Sequence, residues 1–386
     1  MARVRKKYYE NALVHPIHQT ATYYFESTEQ VVGYHQGTEK LGRYARYDNP
    51  SWLSVEEKLA ALDGAEQALL FPSGMNAIVS TLLTFLSAGD KLIFTGKGYR
   101  NIRQFCFDIL GRLDISVKTL PLLSQQSVYD ILSEENTNNL KVVFIESPSN
   151  PHMFLVEIER VRQIVGDSCL IIVDSTFSTP INFQPLCFGA DLVIHSCGKY
   201  IGGHADIMAG SVTGRVERIN SIRRTRNVMG GITDPHAAFL LDRSLSTLRM
   251  RMEHLNMVGQ KFAEYLVNDN RIGKVYYTGV PEHPQYKLGQ KYLSGHGGVV
   301  TFEVAADKEA VSQVIDQIKV PYMGTNFGSS YSMIEQLSIF TYYNQSEKEK
   351  KDLGITDNLI RYSIGFDDDI DHIISDLDSA LNLSSL

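Results

Sequence analysis

From Ser51 onward two kinds of hydrophobic pattern alternate along the chain. Val55, Leu59 and Leu62 recur at helical spacing, with Ser51 or Ser54 able to cap the segment and Gly64 able to end it, so a helix is predicted there. A second helix is predicted after Gly74, with Ile78, Leu82, Leu83 and Leu86 as apolar positions and Gly89 as its stop. Short continuous apolar runs at 92–94, 142–145, 170–173 and 192–194 predict strands buried on both faces, as in a parallel sheet. The pattern from His236 to about Asn268 reads as one long helix; strands at 299–304 and 361–366 and helices near 308–318 and 369–381 follow it. The expected architecture is α/β, with a mainly parallel sheet in a large domain (50–240) and a smaller C-terminal α/β domain (241–386). Residues 1–49, rich in Tyr, His and Thr, read as an extended arm.

Composition narrows this picture without redirecting it. A chain of 386 residues exceeds what one compact core usually supports, which favours two packed regions. Apolar residues at 43% and charged residues at 21% exclude a disordered or fibrous chain. The net charge of -7 argues against a nucleic acid as the main partner. The cluster Arg215, Arg218, Arg223, Arg224 and Arg226 reads as a solvated helix face. Cys106, Cys169, Cys187 and Cys197 are too scattered for a disulfide framework; each adjoins an apolar run where thiols are commonly buried, and a reducing cytoplasm fits them. No run reaches the ~18 apolar residues of a membrane helix, so no membrane partner is expected.

In open α/β sheets ligands bind beyond the carboxyl ends of the strands, which makes the residues following each apolar run the ones to inspect. Four such ends are polar: Asp174-Ser175-Thr176, Glu146-Ser147-Pro148-Ser149-Asn150-Pro151, His195-Ser196-Cys197-Gly198-Lys199 and Thr95-Gly96-Lys97-Gly98-Tyr99. Pyridoxal 5′-phosphate (PLP) requires a lysine that forms a Schiff base and a carboxylate that keeps the pyridine nitrogen protonated. Lys199 and Asp174 supply both types; the alternatives are a solvated loop lysine and a helix-capping aspartate. Ser73-Gly74-Met75 opens a helix whose N–H groups can cradle a phosphate, or it is an ordinary serine cap. Gly96 to Asn101 lacks the third glycine of a dinucleotide fingerprint, Gly198-Lys199-Tyr200 lacks the Walker spacing, and Cys187, His195, Cys197 and His204 lack the paired spacing of a zinc site.

At these residues the sequence resembles the Cys/Met-metabolism PLP enzymes, the fold-type-I family of cystathionine γ-synthase, cystathionine γ-lyase, cystathionine β-lyase and methionine γ-lyase. The motifs occur in one order: Tyr44-Ala45-Arg46-Tyr47-Asp48-Asn49-Pro50, Ser73-Gly74-Met75, Glu146 to Pro151, Val173-Asp174-Ser175-Thr176-Phe177, Lys199-Tyr200-Ile201-Gly202-Gly203-His204-Ala205-Asp206 and Arg361-Tyr362-Ser363-Ile364-Gly365. The resemblance implies that Lys199 carries the cofactor, Asp174 pairs with its ring nitrogen, Tyr99 stacks on the ring and assists proton transfer, and Asn150 lies near the ring hydroxyl. By the same likeness Ser73, Gly74, Met75 and Ser196 meet the phosphate, and Arg361 clamps the substrate α-carboxylate. Tyr44 and Arg46 would reach the neighbouring subunit's phosphate within a homodimer or homotetramer.

The substrate half departs from the family pattern. Gly198 replaces the usual Thr before the lysine, and Arg100-Asn101 replace small residues after the stacking tyrosine. Thr325-Asn326-Phe327-Gly328 stand at the Ser-Leu-Gly region, and Gln336 to Tyr342 replace a His-Pro-Ala stretch. Thr325, Asn326, Arg100 and Asn101 are therefore expected to face substrate, with a polar or anionic side chain favoured and methionine a poor substrate. The implied activity is γ-elimination or γ-replacement on an L-amino acid such as cystathionine or an O-acylhomoserine. The rivals are β-elimination, a specialised γ-substitution on a non-sulfur amino acid, and a non-catalytic scaffold of the same fold.

Overall fold

The computed structural model describes residues 13–39, 42–95, 100–120, 125–134 and 139–384, and forms a seven-stranded and a five-stranded sheet. The large sheet contains β1 (Gln67–Phe71), β2 (Lys91–Thr95), β3 (Ser116–Leu120), β4 (Leu140–Glu146), β5 (Leu170–Asp174), β6 (Leu192–Ser196) and β7 (Gly210–Gly214) in the order β1-β7-β6-β5-β4-β2-β3. From β3 through β6 neighbours pair in parallel, and β7 runs antiparallel between β6 and β1. The four predicted runs lie inside β2, β4, β5 and β6, whose central residues are buried as expected for strands covered on both faces. The polar ends of β4, β5 and β6 consequently emerge side by side, with Glu146 directly opposite Asp174.

Two strands of this sheet, β3 and β7, carry no apolar run, and β1 carries one, 68–71, beyond the four predicted. In β7, Gly-Ser-Val-Thr-Gly, small residues are needed because a Cβ at Gly210 would lie 2.3 Å from the Ser73 carbonyl oxygen. The second sheet is formed by β8 (Ile272–Tyr276), β9 (Val299–Val304), β10 (Tyr322–Met323), β11 (Met333–Gln336) and β12 (Leu359–Ser363), ordered β10-β11-β12-β9-β8. Apart from the β10–β11 pair its neighbours are antiparallel. Helices Leu248–Val267, Lys308–Gln317 and Ile370–Leu383 contribute buried aliphatic side chains to the same cluster as β9 and β12.

Several local expectations are corrected. Asn49, not Ser51 or Ser54, caps helix Pro50–Asp63, because its side-chain oxygen accepts from Ser51 N–H at 2.9 Å and Pro50 fits the first turn. Helix Gly74–Phe85 stops at an extended Leu86; Gly89 instead serves the next turn, donating to Asp114 O at 2.7 Å. The pattern from 236 to 268 is two helices, Pro235–Leu245 and Leu248–Val267, and residue 240 falls within the first. The N-terminal region includes helix Thr28–Gln36. Arg226 is not on a solvated face: it is fully buried over Trp52, donates to Leu70 O at 2.9 Å and pairs with Glu56 at 3.4 Å. Cys187 is exposed while the other three cysteines are buried. No helix among the described residues is long and apolar enough to cross a membrane.

Candidate active site

The cofactor side is built on the carboxyl ends of β5 and β6. Asp174 closes β5 and is buried, and its Oδ1 accepts from Thr176 N at 3.0 Å and Thr176 Oγ1 at 2.5 Å. Thr176 Oγ1 also accepts from Ser196 N at 2.9 Å, which ties the two strand ends together. Burial raises the Asp174 pKa, while the Thr176 hydrogen bonds and the charge of His195 act to lower it. His195, facing the interior from β6, donates Nε2–H to Asp63 Oδ2 at 3.0 Å, and Asp63 also accepts from Thr213 at 2.7 Å. Burial opposes the imidazolium there, but Asp63 and Asp174 outweigh it and raise the His195 pKa. The two carboxylates thus favour the protonated imidazole beneath the strand ends.

Lys199 lies in the turn that follows β6, its N–H donating to Ser196 O at 3.1 Å. Its Nζ donates to Asn326 Oδ1 and sits 5.0 Å from the centre of the Phe327 ring. Burial, aided by the charge of Arg361, lowers the amine to about 8. Phe327 stacks on Phe177 at 4.3 Å, and Arg361 lies 6.0 Å from the Phe327 ring centre. The two cations thus share one aromatic neighbour, Phe327. Gly328 permits this approach: its φ is +78°, and a Cβ would stand 2.4 Å from Tyr200 N.

Arg361, in the middle of β12, is 3% exposed. Its Nη1 donates to Asn150 Oδ1 at 3.0 Å and its Nη2 to the Thr325 carbonyl oxygen at 2.5 Å. Asn150 is itself held by its N–H, which donates to Glu146 Oε1 at 2.8 Å. The structure thus brings Lys199, Asn326, Thr325, Asn150 and Arg361 into one connected group, two of them from the large sheet's strand ends and three from the second sheet and its loops.

On the anion side, Ser73 caps the twelve-residue helix Gly74–Phe85 by accepting from Asn76 N. A Cβ at Gly74 would lie 2.8 Å from Ser196 Cβ, so glycine allows the helix start to press against the β6 end. A phosphate placed there meets unpaired helix N–H groups together with the Ser73 and Ser196 hydroxyls. With Asp174 Oδ2 lacking a hydrogen-bond partner among the described residues, and with a lysine amine of lowered pKa, this donor set fits a phosphorylated pyridine aldehyde.

The remaining expected residues stand apart. Tyr99 lies outside the described residues. Met75, half-buried in the first turn of its helix, packs against the hydrophobic cluster on the large sheet. Arg100 and Asn101 are exposed at the start of helix Arg100–Gln104, so within one chain they are not among the buried groups around Lys199. Tyr44 is 42% exposed, and Arg46 lies 5.8 Å from its ring and 5.1 Å from that of Tyr47. No hydrogen bond, ion pair or ring contact among the described residues joins this pair to Lys199. Three residues escaped the sequence reading: Thr176 and Phe327, which stand inside quoted motifs, and Glu335, whose place depends on strand register.

A model of the Cys/Met metabolism PLP-dependent enzyme family matches residues 2–382. Cystathionine γ-synthase 1, chloroplastic, of Arabidopsis thaliana is 35% identical over 359 residues; the match covers 93% of this chain but only 63% of that protein. L-methionine γ-lyase of Fusobacterium nucleatum is 32% identical over 374 residues, covering 96% of this chain and 93% of the relative. Among solved structures, a cystathionine γ-lyase from Micromonospora echinospora superposes with a TM-score of 0.88 at 29% identity, covering 98% of this chain and 96% of the other.

Proposed function

The chain belongs to the Cys/Met metabolism PLP-dependent enzymes, and from that premise we propose that it catalyses γ-elimination or γ-replacement on an L-amino acid bearing a leaving group at Cγ. The observation that carries this reading is the half-buried Lys199 amine, lowered to about 8 by burial and the charge of Arg361, on the sheet edge that also holds Asp174. PLP, when bound, supplies the electron sink that makes a substrate α-proton removable. Lys199 would hold the cofactor and then act as the base: its lowered pKa leaves part of the amine neutral near pH 7. Asp174 would accept the ring N–H through Oδ2, while Thr176 fixes the other carboxylate oxygen. Ser73, Gly74, Met75 and Ser196 would receive the phosphate, and Tyr99 would stack on the ring.

Arg361 would take the α-carboxylate, oriented by Asn150 and the Thr325 carbonyl. Asn326 would keep the Lys199 amine directed toward the substrate. Arg100 and Asn101, exposed in one chain, are assigned to the distal end of the substrate at a subunit boundary. Tyr44 and Arg46 would serve the neighbouring subunit of a cytoplasmic homodimer or homotetramer. The three-region organisation, with an arm to 49 and a division near 240, belongs to the same proposal.

Purified protein reconstituted with PLP should be offered cystathionine, O-acylhomoserines with and without cysteine, and methionine, with 2-oxo acid, ammonia and substitution products measured. Turnover of an O-acylhomoserine or cystathionine at Cγ is the expected result. Pyruvate as the sole 2-oxo acid from cystathionine would replace this reading with β-elimination.

A further inference from the structure

Arg361 has a neighbour that the substrate reading does not use. Antiparallel pairing of β11 with β12 puts Glu335 directly opposite Arg361, so the two side chains share one face of the sheet. Glu335 is fully buried, and its Oε1 stands 2.6 Å from Arg361 Nη2. Its other oxygen, Oε2, accepts from Thr341 Oγ1 at 2.6 Å, which fixes the carboxylate from the segment following β11. Oε1 accepts no aligned hydrogen bond among the described residues, so the contact with the guanidinium is one of charge.

The other groups near Arg361 cannot take this part. Asn150 is neutral, and Glu146 is engaged by the Asn150 N–H. Lys199 and Tyr200, from the turn after β6, both feel the Arg361 charge, as does the buried Tyr342, which also feels Glu146, Glu335 and Arg103. A guanidinium this buried needs a counter-charge. Among these groups Glu335 is the carboxylate in ion-pair contact with it.

We propose that Glu335 is a positioning residue that holds the Arg361 guanidinium in place and cancels its charge until a substrate carboxylate arrives. The inference rests on the reading of Arg361 as the carboxylate site. Nη1 donates to Asn150 and Nη2 to the Thr325 carbonyl, and the charge of Glu335 beside Nη2 holds the guanidinium in that orientation. The same cancellation shields the cofactor linkage at Lys199 from an uncompensated cation whose charge reaches it.

The test is a pH titration of the holoenzyme's absorbance band near ~420 nm, which reports protonation of the Lys199–cofactor linkage. In Glu335→Gln the unscreened Arg361 should lower the apparent pKa of that band by roughly one unit or more, a tenfold effect, since a nearby cation disfavours the protonated form. Glu335→Asp, which keeps the charge, should stay near the unmodified value. Glu335→Gln/Arg361→Gln, which removes both charges, should return to it. If Glu335→Gln is insoluble, recovery of soluble holoenzyme with an unshifted band in the double variant supports the same conclusion, whereas a double variant equally insoluble overturns it. An unshifted band in Glu335→Gln, or the same shift in Glu335→Asp, also overturns it by reducing Glu335 to a packing role. Absence of the band in the unmodified protein is a different failure: it removes the PLP reading, and this inference with it.

Discussion

The two sheets supply the site in different ways. The parallel sheet delivers Asp174 and Ser196 from the last positions of β5 and β6, and Asn150 and Lys199 from just beyond β4 and β6, where the parallel direction of the strands gathers them on one edge. The second sheet delivers Arg361 from mid-strand, already buried and balanced by the Glu335 opposite it. At the strand ends Asp174 is held by Thr176 beside His195, while the Lys199 amine is only half-buried and free to meet a ligand. A mid-strand cation is rigid, and it demands a counter-ion before the ligand is present. The first arrangement suits a group held through many turnovers, and the second suits a carboxylate that must come and go.

The strongest challenge to this contrast is Lys199→Ala. It should abolish turnover and the ~420 nm band together, because among the described residues no other amine is placed in the connected group; turnover persisting in that variant would break the strand-end account. Asp174→Ala should retain the band but reduce turnover by about 10²-fold or more, the scale of losing one preorganised electrostatic partner. Exchange of the substrate α-proton, followed by NMR, reports this, and near-normal exchange would refute the role.

On the mid-strand side, Arg361→Lys keeps the charge but loses the fork, so kcat/KM should fall about tenfold through KM, with the band unchanged. Equal kcat/KM in steady-state assays would show that the α-carboxylate binds elsewhere. A pH effect separates the halves further. Lowering the Lys199 amine to about 8 means that its neutral, nucleophilic form appears at lower pH than for an ordinary lysine. The rate of PLP capture by apoprotein should therefore climb about tenfold per pH unit below about 8 and level off above it, which stopped-flow absorbance can follow. A climb continuing to pH ~10, the ordinary lysine range, would show an exposed amine. The smallest effect is expected for Thr176→Val. Losing the Thr176 hydroxyl removes a bond that lowers the Asp174 pKa, so the acid limb of the kcat/KM profile should move to higher pH. An unmoved limb would show that the backbone N–H of residue 176 suffices.

These halves were also unequally legible in sequence. Short apolar runs ending in Asp174 or leading to Lys199 announce both the strand and its functional end, because burial on two faces leaves polar residues only at the tips. Arg361 was found through motif likeness, whereas Glu335 in Met-Ile-Glu-Gln looks like any charged position until the β11–β12 register sets it against the arginine. Arg226 misled for a related reason: helix periodicity does not reveal that Glu56 and the Leu70 carbonyl wait behind it. β7 stayed hidden because close backbone contact with Ser73 selects small residues over the apolar ones that mark a strand.

Borohydride reduction of the holoenzyme followed by peptide mapping tests most directly whether the half-buried amine after β6 is the one that holds the cofactor. The account predicts a single stable pyridoxyl adduct on the peptide containing Lys199. An adduct on any other lysine, with Lys199 unmodified and activity lost on reduction, would contradict it.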